Sequence, residues 1–500
     1  MATSAHPALA RHPVLEPVNE APPAGSAPGR ARRGSVPQAM QRIFSSLATR
    51  NYRLFFFGQM VSVSGTWGQT VAQAFLVLEL THSGTALGLV IGAQFLPLLL
   101  FTPLGGLLAD RLPKRRVLYC TQGTSALLAA AFAVVVGTHV VAMWMVYLLA
   151  FGLGMVNVFD NPVRQSFISE MVGPGDLRNA VTLNSVTVNI ARIIGPAIGG
   201  VLIALIGLVA CFAFNSLSFA AVLFSLVRMR AAELHPSAAV PRRPGQLRSG
   251  WRYARTTPEL AVPLIMIAVI GTLAWEFQVS LPLVAHAAFH GGAGTYAIMM
   301  SFMAAGAIGG GMVSAGRSRT SARGLSVAAV GWGTAILAAA LAPALWLELI
   351  TLVFVGVGGI SFNTLAKTSL QLAAAPAMRG RVMALWAVAW LGSTPIGGPI
   401  VGWVGQNLGA RWSLIVGGVP TVLIGLVAWP RLSRIDARAG AEAASQGVAG
   451  PVLAGTVDML RMAAPRCRRR VVRNKRPGRP RRGRSGGLAE PGGRPGRGSR

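Results

Sequence analysis

Charge is scarce in this chain: Asp, Glu, Lys and Arg make up 12% of its 500 residues, about half the share of a soluble globular protein. Water is therefore not the solvent for most of its surface. Cysteine is scarcer still, with only Cys120, Cys211 and Cys467; two lie in apolar stretches and one in a basic tail, which leaves no basis for a disulfide framework or a zinc site. No Gly-x-x-x-x-Gly-Lys-Ser/Thr phosphate loop occurs, so an ATP-driven pump is disfavoured. His82, His286 and His290 stand without a matching Ser or Cys arrangement, so a membrane-embedded enzyme has no chemistry to work with. The first 45 residues hold no continuous apolar stretch that could serve as a signal peptide and are expected to form a disordered cytosolic leader.

What the chain has in abundance is apolar sequence. Hydrophobic residues make up 52% and the mean hydropathy is +0.53. Stretches long enough to cross a hydrocarbon core of about 30 Å run through residues 52–80, 86–109, 117–136, 140–159, 180–206 and 208–227. Six more cover residues 260–287, 296–315, 325–341, 346–363, 382–404 and 413–429. Between the sets lies a polar stretch containing Pro241, Arg242, Arg243 and Pro244. The predicted fold is an all-α integral membrane protein of 12 transmembrane helices in two six-helix bundles. Its expected divisions are 46–229 and 259–431 for the bundles, 230–258 for a cytosolic linker, and 432–500 for a disordered basic cytosolic tail. That tail is rich in Ala, Gly, Pro and Arg and cannot bury enough apolar area to fold; it is expected to lie against anionic headgroups.

The formal net charge of +31 resembles a nucleic-acid binder's until it is mapped. Alternate loops collect Arg111, Lys114, Arg115, Arg116, Arg164, Arg178, seven arginines from Arg228 to Arg255, Arg317, Arg319, Arg323, Lys367, Arg379 and Arg381, whereas the opposite loops hold essentially Arg411. Basic loops stay cytoplasmic, so both termini are expected inside the cytoplasmic membrane, with lipid rather than nucleic acid as the partner of the charge. The halves also echo each other: Gly152-Leu-Gly154 before Asn157, Asp160 and Arg164 resembles Gly356-Val-Gly358 before Ser361, Asn363 and Lys367. Parallel repeats of this kind build transporters whose substrate site lies between the halves.

The sharpest local pattern is Gly105-Gly106-Leu-Leu-Ala-Asp110-Arg111-Leu-Pro113-Lys114-Arg115 between the second and third spans. It resembles the signature loop of the major facilitator superfamily, carried by Gly106, Asp110, Arg111, Lys114 and Arg115, with Pro113 in place of the family's second glycine. The resemblance implies a conformational latch in which the acidic residue meets the eleventh helix, here near residues 379–382. Gly195-Pro196-Ala-Ile-Gly199-Gly200 in the fifth span is similar to the superfamily's antiporter motif, with Ala191 replacing its leading glycine. Proline kinks the helix and the glycines permit close packing. Phe56-Phe57-Gly58-Gln59, Asp160-Asn161-Pro162-Val163-Arg164-Gln165 and Arg379-Gly380-Arg381-Val382-Met383 extend the likeness to the branch containing the enterobactin exporter and macrolide efflux proteins. That branch implies proton-coupled export of a small amphipathic molecule such as a siderophore or drug, with protons as coupling ion, no cofactor and no metal. The arginine that many drug antiporters carry in the fourth span is missing, because residues 143–151 bear no charge.

An ionisable group at mid-bilayer costs about 3 kcal/mol or more, so each asks for a partner or a task. Arg192 is the deepest and is expected to attract an anionic substrate group or pair with a carboxylate. Glu276 is the candidate for a carboxylate that gains and loses a proton, and Glu79 closes the first span near the outer face. Asp160, Arg164 and Lys367 mark inner helix ends as gate candidates. Ser62, Thr66, Gln69 and Gln73, and Thr364 and Gln371, recur at helical spacing as candidate cavity-lining residues. A transporter working as a monomer is the expected form; an importer or facilitator of the same fold, or a non-transporting receptor or scaffold, are the alternatives.

Overall fold

A computed structural model describes residues 44–235, 246–315, 321–376 and 378–445. The Cys467 tail and the linker prolines Pro241 and Pro244 lie outside the described residues. Twelve long helices are present among those described: α1 Arg50–Thr81, α2 Gly84–Arg111, α3 Lys114–Gly137, α4 Met143–Gly173 and α5 Gly175–Leu205, and α6 Leu208–Arg228. The second set is α7 Pro258–Ala288, α8 Ala293–Ala315, α9 Ala322–Ala340, α10 Leu345–Ala373, α11 Arg379–Asn407 and α12 Trp412–Ser445. Eleven are apolar enough to span by composition alone. The other, α1, is diluted by Gln59, Gln69 and Gln73, but its 32 residues reach about 48 Å at 1.5 Å per residue.

Outward-facing side chains show which solvent the fold meets. Leu127, Leu148, Leu217 and Met312 are each more than 60% exposed, an arrangement stable only where lipid replaces water. All backbone polar groups of a spanning segment must pair internally in that solvent, and helices meet the requirement.

Several helices outrun their apolar stretches. The fourth and fifth spans were expected over 140–159 and 180–206, with the residues between them as a loop. Instead α4 continues to Gly173 and α5 begins at Gly175, the turn being made by Gly173 at φ +70°. Hydropathy marks where lipid is met, whereas helix formation continues into polar sequence for as long as no breaker intervenes. Likewise α12 runs past residue 431, where the tail was expected to begin, to Ser445. The expected linker contains a short helix, Gln246–Thr256, whose Tyr253 hydroxyl accepts from the Ala375 amide at 3.2 Å.

Two helices are interrupted halfway. In α7 the helical pattern stops over 274–276 and resumes at Phe277; in α11 it stops at 392–393 and resumes at Thr394. Pro395 accounts for the second break, since it has no amide to bond back to the Leu391 carbonyl. The two breaks face each other. A Cβ added to Gly271 of α7 would sit 2.8 Å from the Ala389 carbonyl oxygen of α11, and one on Gly397 of α11 would overlap the Thr272 carbonyl.

The ends differ. At the end away from the basic loops, α2 and α11 meet backbone to backbone: a Cβ on Gly88 would overlap the Gly398 carbonyl, and one on Gly402 the Gly84 carbonyl. Gln406 Oε1 accepts from the Ser83 hydroxyl at 2.7 Å and the Thr85 amide at 3.0 Å across the same seam. Beside it α5 meets α8, with Ser301 Oγ donating to the Ile193 carbonyl at 3.0 Å. These contacts join α2 to α11 and α5 to α8 on that side of the molecule.

Candidate functional site

A cavity of about 80 Å³ lies at the middle of the helices, between α1 and α5 on one side and α7, α8 and α10 on the other. Trp67, Arg192, Trp275, Phe277, Gln278 and Met303 give it an apolar, aromatic wall with few polar groups, the usual make-up of a small-molecule site.

Arg192 is carried by α5 one turn before Pro196, whose missing amide removes the helix bond to the Arg192 carbonyl. Its guanidinium lies over the Trp67 ring, 5.0 Å from the centroid, and its Nε is buried with no hydrogen-bond partner. The pairing with a carboxylate, one of the two roles expected for it, is not found: among the described residues no Asp or Glu forms an ion pair with it, and none lines the cavity.

Glu276 follows the cavity residue Trp275 but is not in the cavity wall. It is 3% exposed and sits at the α7 break against the α11 break. Thr394 begins the second part of α11 beside it, Gly397 leaves it room, and Oε1 has no hydrogen-bond partner. Trp275 connects the two regions, with its ring 4.5 Å from that of Trp390 on α11 and 5.9 Å from that of Trp332 on α9. Cavity and carboxylate are thus separate, joined through an indole.

From the cavity toward the basic end, the faces of α5 and α10 become polar and open. Asn189, Ser185, Thr182 and Arg178 descend from Arg192 at three- and four-residue steps, and all but the half-buried Asn189 are exposed. Thr364, Lys367 and Gln371 continue the face of Gly356 and Ile360, and all three are exposed. Lys367 Nζ rests over the Trp386 ring of α11 at 5.2 Å. Gln371 borders a second opening with Leu372, Arg379, Gly380 and Met383.

The other expected site residues are distributed differently. Ser62, Gln69 and Gln73 do not line the cavity but are buried in helix seams: Gln69 accepts from Asn215 of α6 at 2.6 Å, and Gln73 donates to Gln94 of α2 at 3.3 Å. Helical spacing selects a face but not the neighbour it meets. Thr66 of the same stripe is exposed and donates to the Ser62 carbonyl. Asp160 accepts from Thr121 and Gln122 of α3, each at 2.8 Å, and pairs with Arg164 at 3.6 Å. Arg164 also donates to Gln59 of α1, so this pair ties α4 to α3 and α1. Glu79 is exposed at the far end of α1, away from the cavity.

In the signature loop, the side chains of Gly106, Asp110 and Arg111 lie outside the described residues. Lys114 meets Glu170 of α4 at 2.6 Å, and Arg115 donates to the Leu226 carbonyl at the end of α6 at 2.6 Å, where a cation also complements the helix dipole. Both staple α3 to its neighbours. In the antiporter-like motif, Gly195 and Gly199 face α1, where added Cβ atoms would sit 2.6 Å from Trp67 Cβ and 2.7 Å from Gly68 Cα; Gly200 faces Ala297 of α8 at 2.8 Å. Pro196 lies between them, so the motif joins α5 to both α1 and α8.

Glu348 was not foreseen. It is 1% exposed near the start of α10, its Oε1 has no hydrogen-bond partner, and its electrostatic partner is Arg411, which itself caps the Ala340 and Ala342 carbonyls. The available signal was an acid three residues into an apolar span, opposite a lone far-end arginine.

Comparison with known proteins converges with this geometry. The staphyloferrin A transporter of Staphylococcus aureus is 28% identical over 153 residues, 30% of this chain but only 38% of that protein. The enterobactin exporter EntS of Citrobacter koseri is 24% identical over 381 residues, 75% of this chain and 90% of its own length. A bacterial homologue of the human lysosomal transporter Spinster, crystallised inward-facing and unoccupied, shares the fold with a TM-score of 0.60 at 15% identity, over 81% of this chain and 99% of that one. The nucleoside transporter NupG does so at 0.62 and 13%, over 76% and 98%. The family described as transmembrane secretion effector matches residues 42–462. With its helices, their cavity and this match in agreement, the chain belongs to that family of major facilitator membrane transporters.

Proposed function

We propose that the protein is a proton-coupled exporter of a small amphipathic molecule, of the siderophore or drug kind, and that it works by alternating access as a monomer in the cytoplasmic membrane. The observation that carries this reading is the mid-helix cavity, with α2 joined to α11 at the far end and polar faces toward the basic end. Basic loops mark the cytoplasmic side, so both termini are cytosolic and the cavity loads from the cytosol, as export requires. The enterobactin and staphyloferrin A transporters among the relatives support a siderophore-like cargo.

Coupling is assigned to Glu276. Its carboxyl occupies the place where the broken middles of α7 and α11 touch, so gaining or losing a proton there removes or restores a charge with one uncompensated oxygen. Such a charge costs several kcal/mol in a dry interior, and α11 must move or supply a partner to accommodate it. Because α11 also forms the far-end seal with α2, the proton acts on the seal.

In proteoliposomes carrying an imposed pH gradient, Glu276→Gln is expected to abolish gradient-driven efflux while leaving the protein folded and inserted. Efflux that keeps its dependence on the gradient in this variant would remove Glu276 from the coupling role.

A further inference from the structure

The cavity holds a cation with nothing to balance it. Arg192 has a buried Nε without a partner, no acidic residue lines the wall around it, and the nearest buried carboxylate on α7, Glu276, is directed to α11. An arginine is not left in this state by its chemistry: a bare guanidinium in a low-dielectric site is costly unless an anion completes it. Trp67 offsets part of that cost through the ring face. Stacking uses the flat face of the guanidinium and leaves its edge of N–H donors free, and that edge matches a carboxylate in a two-point contact.

The surroundings define the rest of the ligand. Trp275, Phe277 and Met303 offer aromatic and thioether surface opposite Arg192, and Gln278 adds one neutral polar group. The path from the basic end carries Arg178 on the α5 face and Lys367 on the α10 face, so its fixed charges have the sign that draws an anion inward.

We infer that this cavity binds an amphipathic organic anion, with a carboxylate or acidic phenolate held by the edge of Arg192 and an aromatic body held between Trp67, Trp275 and Phe277. The inference rests on the reading of this cavity as the transport site and names the class of molecule it takes.

The test uses the purified full-length protein and three probes of one shape: naphthoate, naphthamide and naphthylmethylammonium. Isothermal titration calorimetry is expected to show naphthoate binding about tenfold or more tighter than naphthamide, the usual worth of a charged hydrogen bond, and the ammonium probe weakest. Arg192→Gln is expected to erase the preference for the anion, and Arg192→Lys to retain part of it. Both variants should stay monodisperse, since the native guanidinium Nε has no protein partner to lose. Naphthoate binding no tighter than naphthamide, no naphthoate binding at all, or an anion preference that survives Arg192→Gln would overturn the assignment.

Efflux of the same probes from loaded proteoliposomes separates this inference from the transport reading. Movement of the neutral or cationic probe in preference to the anion defeats the anion class and leaves the exporter standing. Arg192-dependent binding of naphthoate without movement of any probe upholds the anion site and defeats the exporter.

Discussion

Asp160 and Arg192 are both charges at membrane depth, yet their surroundings give them opposite tasks. Asp160 is 3% exposed with Thr121, Gln122 and Arg164 all engaged, so it is a structural knot. Asp160→Ala should lower stability by about 2 to 3 kcal/mol, the cost of leaving buried donors and a cation unpaired, read as a lowered melting temperature in detergent; an unchanged melting temperature would contradict that role. Arg192 has no such partners, so Arg192→Gln should leave the melting temperature within the scatter of surface substitutions. Arg192 and Glu276 were legible in the sequence, because a charge inside an apolar span announces itself by its cost. Their neighbours were not: nothing in the spacing of Ser62, Gln69 and Gln73 says that Asn215 and Gln94 take up two of them, or that Trp67 is the residue of α1 that reaches the cavity. Glu348 stands at a span's edge, where hydropathy alone does not distinguish an acid in solvent from one buried beside Arg411.

At the scale of elements, the breaks in α7 and α11 and the glycine seam between α2 and α11 belong to one assembly. Glu276 and Thr394 lie at the breaks, while Gly398, four residues beyond Thr394, lies under Gly88 in the seam. A displacement of the second part of α11 therefore changes both. Replacing Gly88 by Val puts a branched side chain where the Gly398 carbonyl stands, so the far end should open. Alkylation of Thr85→Cys in that background by a membrane-impermeant maleimide is expected to rise severalfold; unchanged labelling would show that the seam does not seal this end. The twelve spans were legible because lipid imposes both length and hydropathy on them. The breaks were not, since Pro395 lies in a motif that packing alone would also favour, and the helical run from α4 into the polar residues beyond 159 follows from backbone bonding that hydropathy does not report.

For the molecule as a whole, the proposed transport cycle requires the seam of α2 with α11 at one end and the polar faces of α5 and α10 at the other to open and close in turn. Of the helices around the cavity, α1 and α7 hold corresponding places in the two sets of six, whereas α5, α8 and α10 line it without their counterparts. In the proposed orientation, with the basic loops cytosolic, an inside-negative potential returns a cavity whose own fixed charge is positive inward more readily when empty than when an anion neutralises it. Efflux of naphthoate from proteoliposomes of matched pH should accordingly quicken when a valinomycin-clamped potential is made negative on the loading side; a rate indifferent to potential would speak against a cationic empty cavity. The most direct test of alternating access is pulsed electron–electron distance measurement on two spin-label pairs in lipid, Thr85 with Asn407 across the seam and Thr182 with Gln371 across the polar faces. On going from acidic to alkaline pH, as Glu276 loses its proton and the charge displaces α11, the first distance is predicted to lengthen as the second shortens. Distances that stay fixed, or that lengthen together, would contradict it.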